Sequence, residues 1–141
     1  MISQVLHVSR EFFRRHDWIR YTDDGLRLAA ICIGDPDTEK ENTEQFKFAI
    51  HIQFWDTEPN TKAAEWYPPA IPEQLDDIAD FIKILADDDR PFYLVVHCEV
   101  GISRSAGVAC AVADTYDLLI DRARAAFANQ YIYKELLRRL Q

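Results

Sequence analysis

The sequence predicts an α/β fold, with a central and mostly parallel sheet of four to five strands flanked by helices. Short apolar, β-rich runs alternate along the chain with stretches of helical periodicity, which is the pattern of βα units. Hydrophobic residues make up 48% and charged residues 28% of the 141 residues, as in one ordinary globular domain. Because no repeat or low-complexity linker divides the chain, we expect a single domain over residues 1–141.

Four segments are predicted as strands. The first, "ISQVLHVS" (2–9), leads into the segment "SREFFRRH", which indicates a short helix with Ser9 as a candidate N-cap. The second, "LRLAAICIG" (26–34), is apolar and stops at Gly-Asp-Pro, and the third, "FKFAIHIQF" (46–54), alternates apolar and polar residues. The fourth, "FYLVV" (92–96), is apolar throughout, which is typical of a central strand.

The second half of the chain contains the longer helical patterns. Pro72 suits the first position of a helix that runs to about residue 86. Residues 104–116 are small and apolar on all sides, which indicates a buried helix. The segments "DRARAAFA" (121–128) and "QYIYKELLRRL" (130–140) are predicted as two more helices.

Two kinds of loop are expected between these elements. The acidic stretches "DPDTEKE" and "ADDDR" are interpreted as solvated surface loops. The segment 55–70 has three prolines, two tryptophans and no periodicity, and long irregular loops of this kind are often functional. Trp55 and Trp66 either line a substrate cleft or anchor this loop.

Charge and hydropathy exclude several classes of partner. The formal net charge of −8 argues against nucleic acid, because phosphate backbones are held by basic surfaces. No apolar run approaches the roughly 20 residues of a membrane span, and the first residues lack the pattern of a signal peptide. We therefore expect a cytoplasmic protein, by default a monomer.

The cysteines and histidines do not form a metal motif. Cys32, Cys98 and Cys110 are far apart, so we expect no disulfide framework, and no Cys or His spacing fits zinc. We expect no metal and no cofactor. Cys32, Cys110 and His51 lie in apolar or alternating segments and are interpreted as structural residues.

Cys98 differs, because it lies where a central strand ends and a buried helix begins. Ligands bind at the carboxyl ends of parallel strands, and helix N-termini present unpaired N–H groups. Gly101 lets the loop after Cys98 curl, and Arg104 offers a planar fork that matches two phosphate oxygens. This positive environment favours the thiolate of Cys98, toward which Ser105 can donate a hydrogen bond.

The segment "HCEVGISRS" resembles the H-C-x5-R-[ST] signature of cysteine-dependent protein phosphatases, and its form is nearest to the dual-specificity subgroup. The segments "AICIGDPD", "HIQFWD", "PPAIPEQLDDIADFIK" and "NQYIYKELL" resemble, in order, parts of small bacterial and phage proteins of that type. The resemblance covers roughly residues 26–140, and the signature is its specific part. It implies a protein tyrosine phosphatase-like fold.

The resemblance also implies a mechanism. Cys98 would attack phosphorus and form a phosphocysteine, while Arg104 and the loop amides stabilise the phosphate oxygens. These amides belong to the six residues Glu99, Val100, Gly101, Ile102, Ser103 and Arg104. Asp56 is the expected general acid, since it follows a strand end, and Glu58 and Glu65 are the alternatives.

Two further residues are expected near the loop. His97 would lie behind the loop and hold it in place. Asn129 would correspond to an asparagine that braces the phosphate loop in many relatives, although Ala128 precedes it here where relatives often have proline.

The expected substrates are phosphorylated proteins or small phosphate esters, with phosphate, sulfate or vanadate as ligands of the loop. The loop interior has no basic residue, which disfavours inositol phosphates and RNA 5′-ends. A shallow pocket would accept phosphotyrosine and also phosphoserine or phosphothreonine. The alternative is a non-catalytic phosphate-binding module on the same scaffold.

Overall fold

The computed structural model describes residues 1–141 and contains one sheet of four strands. The strands are Ile2–Ser9 (β1), Arg27–Gly34 (β2), Phe48–Gln53 (β3) and Phe92–Cys98 (β4). Their order in the sheet is β1-β4-β2-β3, and every neighbouring pair is parallel. The predicted α/β class with a parallel sheet is confirmed.

Helices connect β1 to β2 and β3 to β4 and cover both faces of the sheet, whereas a loop without a helix joins β2 to β3. The α-helices are Arg10–Arg15 (α1), Pro72–Asp87 (α2), Arg104–Tyr116 (α3) and Gln130–Leu140 (α4). Short 3-10 helices form at Ile19–Asp24 and Ala63–Glu65, the latter inside the predicted irregular loop. None of the helices combines the length and the apolar character that a membrane crossing requires.

Strand β4 lies in the middle of the sheet, and all seven of its residues are buried. Its last residue, Cys98, pairs in register with Ser9, the last residue of β1. On the other side, His97 pairs with Cys32 near the end of β2. The loops that follow β1, β2 and β4 therefore emerge at the same edge of the sheet, beside Cys98.

The two faces of the sheet form two separate cores. The larger core, under α2, α3 and α4, includes Val96 and Cys98. The smaller core surrounds Trp18 on the opposite face and includes Cys32. Since side chains alternate along a strand, His97 points to the face opposite to that of Cys98.

The helix starts follow the local signals in the sequence. The Ser9 hydroxyl accepts a hydrogen bond of 3.1 Å from the Phe12 N–H and so caps α1, as predicted. Pro72 occupies the start of α2, where the Gln74 side chain accepts a 3.0 Å hydrogen bond from the Ile71 N–H. Helix α3 begins at Arg104 and ends at Tyr116, and the next residue, Asp117, adopts a left-handed conformation.

The prediction of a helix over 121–128 is wrong, because this segment folds as a series of turns. Two of its side chains are tied to other groups. The Asp121 carboxylate accepts hydrogen bonds from the Ala123 and Arg124 N–H groups, at 3.0 and 3.2 Å. The Arg122 guanidinium reaches back to Asp114 of α3, at 2.6 Å. These local and tertiary bonds replace those of a continuous helix.

The interpretation of "DPDTEKE" as a solvated loop is wrong at Asp35 and Glu41. The Glu41 side chain is only 5% exposed and accepts hydrogen bonds from Arg10 and from Arg14, the latter at 2.8 Å. Burial alone would raise the pKa of Glu41, but the bonds from Arg14 and Arg10 bring it below its usual value. Asp35 pairs with Arg104.

Candidate active site

The sulfur of Cys98 is buried and surrounded by hydrogen-bond donors. Its Sγ lies 3.1 Å from the hydroxyl of Ser105, and it accepts hydrogen bonds from the N–H groups of Gly101 at 3.3 Å and Ser105 at 3.4 Å. Cys98 itself is 3% exposed. Three groups that favour a negative sulfur therefore converge on it.

The loop after Cys98 curls because residue 101 is glycine. Gly101 has φ +86°, a conformation that other residues resist. A Cβ at this position would lie 2.3 Å from both the Ser9 nitrogen and the Val8 carbonyl carbon. Since these are backbone atoms at the end of β1, the loop and β1 could not both keep their positions.

The predicted phosphate-loop residues form one arc between β4 and α3. Five of them have backbone N–H groups that donate to no group of the protein; these residues are Glu99, Val100, Ile102, Ser103 and Arg104. The carboxylate of Glu99 lies 3.2 Å from Arg10, so its charge is paired at the side of the loop. Val100 and Ile102 are exposed and flank the arc. An arc of unpaired amides is suited to an anion.

Arg104 is held from behind by Asp35, which was not predicted from the sequence as a site residue. Its Nη1 forms an ion pair with Oδ1 of Asp35, at 2.8 Å, and donates a hydrogen bond to the Phe54 carbonyl at 2.6 Å. Asp35 lies directly after β2. The guanidinium is almost fully buried, and its Nε has no partner in the protein. One edge of the guanidinium is thus fixed, and the N–H at Nε stays unpaired.

Asp56 lies at the end of the phosphate loop. Its Oδ1 accepts hydrogen bonds from the Ser103 hydroxyl at 2.7 Å and from the Asn129 amide at 3.0 Å. Asn129 also donates from its backbone N–H to the Ser103 carbonyl, at 3.0 Å. The structure therefore brings Asp56, Asn129 and the loop together. Oδ2 of Asp56 makes no hydrogen bond.

Asn129 connects three segments of the chain. Its Oδ1 accepts a 3.1 Å hydrogen bond from the Ile132 N–H and caps α4, while its amide reaches the Thr57 carbonyl at 3.3 Å. The residue is 5% exposed. A single buried side chain thus ties the start of α4 to the segment that carries Asp56.

The alternative acids, Glu58 and Glu65, are exposed, and neither side chain is bonded to the residues around Cys98. Trp55 stacks edge-on against Tyr67, with 5.1 Å between ring centroids, and so anchors the loop 55–70. Trp66 is 76% exposed. Of the residues predicted in this loop, only Asp56 is joined to the phosphate loop by its side chain.

His97 has no hydrogen bond to the loop through its side chain. Its ring packs against Phe13 with a centroid distance of 4.4 Å, and neither ring nitrogen has a partner. Burial lowers the pKa of His97 to about 4. We expected His97 to hold the loop, but its side chain makes no polar contact with the loop in the structure.

Cys32 and Cys110 lie apart from the chemistry of the site. Burial raises the pKa of Cys32 to about 12 and also raises that of Cys110. Cys32 belongs to the core on the opposite face of the sheet from Cys98, and all three cysteines are free thiols.

Two residues that contact the site, Asp35 and His7, were not predicted from the sequence. Asp35 directly follows β2, and β2 lies next to β4 in the sheet. The end of β2 therefore lies near Arg104, which follows the loop after β4. His7 lies on β1, and its ring contacts the Gly101 carbonyl. Both contacts require the strand order β1-β4-β2, which the sequence pattern does not specify.

The fold is that of the tyrosine and dual-specificity phosphatases. The structure is similar to that of the human tyrosine phosphatase-like serine/threonine/tyrosine-interacting protein, with a TM-score of 0.59, 17% identity, and coverage of 95% of this chain and 89% of that chain. It is also similar to DUSP15, with a TM-score of 0.54, 19% identity and coverage of 95% and 81%. For human DUSP28 the TM-score is 0.52, with 13% identity and coverage of 96% and 90%.

No protein-family model matches the sequence, and no curated protein matches it. The structural likeness therefore shows the fold, and the function has to be argued from the site itself.

Proposed function

We propose that this protein is a phosphatase that hydrolyses phosphate monoesters through a phosphocysteine on Cys98. The observation that supports this most directly is the environment of the sulfur, which accepts two N–H bonds and lies 3.1 Å from the Ser105 hydroxyl. A buried thiol with only a packing role would not need these donors. The arc of unpaired amides beside it is suited to an anion such as phosphate.

The first step transfers the phosphoryl group to sulfur. The Cys98 thiolate attacks phosphorus, the S–P bond forms, and the bond from phosphorus to the ester oxygen breaks. Arg104 and the loop amides bind the three equatorial oxygens and stabilise their charge in the transition state. Protonated Asp56 gives its proton to the leaving oxygen, so the alcohol or phenol departs neutral.

The second step returns the enzyme to its starting state. Asp56, now a carboxylate, accepts a proton from a water molecule as that water attacks phosphorus. The S–P bond breaks, and inorganic phosphate leaves. The Cys98 thiolate departs with its electron pair and is stabilised by the Ser105 hydroxyl. The reaction consumes one water and needs no other reactant.

The favoured substrate is phosphotyrosine on a protein, with phosphoserine or phosphothreonine as further substrates. Val100 and Ile102 are exposed on either side of Gly101, which favours an open site over a deep one. A site of this shape is open enough to accept shorter phosphorylated side chains. The loop interior offers no basic side chain to a second phosphate.

A non-catalytic phosphate-binding module is the second candidate. One observation favours it, the likeness to a human phosphatase-like protein that is named an interacting protein. The two candidates differ in turnover. A binding module would hold phosphate in the loop but would hydrolyse nothing, even with Cys98 and Asp56 intact.

The test is the hydrolysis of p-nitrophenyl phosphate and of a phosphotyrosine peptide by four proteins. We expect Cys98→Ser to reduce both activities to background. Asp56→Ala should reduce peptide hydrolysis by about 100-fold or more, and p-nitrophenyl phosphate hydrolysis less, because nitrophenolate leaves without a proton. Glu58→Ala, two residues away and exposed, is the matched control and should retain activity. Wild-type protein that binds phosphate without any turnover would support the binding module instead.

A further inference from the structure

The ring of His7 contacts the phosphate loop from β1. Its Nδ1 lies 2.7 Å from the carbonyl oxygen of Gly101, and the residue is 1% exposed. A carbonyl oxygen only accepts hydrogen bonds, so the proton of the imidazole is on Nδ1. The Gly101 carbonyl is therefore held toward β1 by a buried donor.

This bond fixes the direction of the next amide. Gly101 and Ile102 are joined by a trans peptide, in which the C=O and the N–H point in opposite directions. Because the Gly101 carbonyl points to His7, the Ile102 N–H points away from β1. That N–H has no partner in the protein. On its other side, Gly101 donates its own N–H to Cys98, at 3.3 Å.

The surroundings of His7 keep the ring neutral. Its Nε2 is buried without a partner, so a proton there would be an unpaired buried donor. Burial lowers the pKa of His7, although the bond to Gly101 opposes this. The charged groups near it are Arg124, whose guanidinium donates to the His7 carbonyl at 3.1 Å, and Asp121.

We propose that His7 is a positioning residue that orients the Gly101–Ile102 peptide, so that the Ile102 N–H faces the phosphate. This inference rests on the proposed phosphatase function. His7 itself does not touch the substrate. It acts through the Gly101–Ile102 peptide. Residue 101 has to be glycine because its φ is positive and because a Cβ there would clash with β1.

Two variants separate the hydrogen bond from the packing of the ring. His7→Leu fills a similar volume without a donor. His7→Asn carries an N–H donor near the position of Nδ1. The first measurement is the inhibition of p-nitrophenyl phosphate hydrolysis by inorganic phosphate. The second is the pH midpoint for alkylation of Cys98 by iodoacetamide, followed by mass spectrometry of the Cys98 peptide.

In His7→Leu we expect the phosphate inhibition constant to rise about tenfold and the alkylation midpoint to move to higher pH, since both depend on the loop amides. His7→Asn should recover most of both values. A purely structural role would lower the active fraction, so kcat would fall while the inhibition constant and the midpoint stayed at wild-type values. That result, or an Asn variant no better than the Leu variant, would overturn the proposal.

The proposal and the phosphatase function can fail separately. If the wild type hydrolysed no phosphate ester, the phosphatase function would fail, and the alkylation midpoints would still decide the role of His7. If His7→Leu did not fold, the ring 15N spectrum of the wild-type protein would still show which ring nitrogen of His7 carries the proton. A neutral ring protonated on Nδ1 supports the proposal, and one protonated on Nε2 overturns it.

Discussion

Nη1 of Arg104 lies 2.8 Å from the carboxylate of Asp35, which comes directly after β2. This ion pair and the hydrogen bond to the Phe54 carbonyl hold one edge of the guanidinium from behind. The phosphate loop is thus braced from the ends of several strands: β2 through Asp35, β3 through Phe54, and β1 through His7.

Replacing Asp35 should therefore misplace Arg104. We expect Asp35→Ala to lower kcat/KM for p-nitrophenyl phosphate by about 10- to 100-fold, because catalysis is sensitive to small errors in the position of a charged group. Asp37→Ala is the matched control, since Asp37 is exposed in the same loop and makes no ion pair. Equal activity of the two variants would show that Arg104 does not depend on Asp35.

Removing the Ser105 hydroxyl should slow the second chemical step. A hydrogen bond to a charged atom contributes about 1.5–3 kcal/mol, so Ser105→Ala should lower kcat by about 10- to 100-fold. Because the hydroxyl stabilises the departing thiolate, phosphocysteine should accumulate and stopped-flow traces should show a burst of nitrophenolate. A fall in rate without a burst would place the role of Ser105 before the intermediate.

Gly101 and Gly25 form a matched pair for testing the loop. Both have positive φ, +86° and +77°, but a Cβ at Gly101 would clash with β1, whereas one at Gly25 meets nothing within 4 Å. We expect Gly25→Ala to cost about 1–2 kcal/mol of stability and leave activity intact. Gly101→Ala should lower activity by about 100-fold or more, because the loop has to move. Similar kinetics for the two variants would contradict this reading of the loop.

Stability should depend on pH through His97. Burial lowers its folded-state pKa from 6.5 to about 4, so the folded protein binds fewer protons than the unfolded chain below pH 6.5. The free energy of unfolding should be highest above pH 6.5. It should then fall by about 3 kcal/mol as the pH drops to 4, from the difference between the two pKa values.

Urea unfolding at a series of pH values measures this dependence. In His97→Leu much of the loss between pH 6.5 and 4 should disappear, because the titrating group is gone. His16→Gln is the control, since His16 is only half-buried and should contribute less. An unchanged pH profile in His97→Leu would show that His97 does not control acid stability.

The sequence specified the centre of the site because that part is local. Cys98, Gly101 and Arg104 lie within one loop, and their order along the chain already implies a strand end, a turn and a helix start. The buried helix over 104–116 was likewise predicted within its bounds, because small apolar residues cover it on all sides. No tertiary information was needed for these elements.

Most of the missed features depend on tertiary contacts. His7 and Gly101 are 94 residues apart, and their contact follows from the pairing of β1 with β4. Asp35 belongs to an acidic segment whose composition predicts a solvated loop. Its contact with Arg104 follows only from the pairing of β2 with β4. The segment 121–128 has a helical composition, but hydrogen bonds to the carboxylates of Asp121 and Asp114 favour turns.

The most direct test of the account is to look for phosphate on Cys98. Wild-type and Ser105→Ala proteins would be mixed with p-nitrophenyl phosphate, quenched in acid within milliseconds, digested and examined by mass spectrometry. The account predicts phosphate on the peptide that carries Cys98, more of it in Ser105→Ala, and none on the peptides of Cys32 or Cys110. Steady turnover with no phosphate on Cys98 in either protein would contradict it.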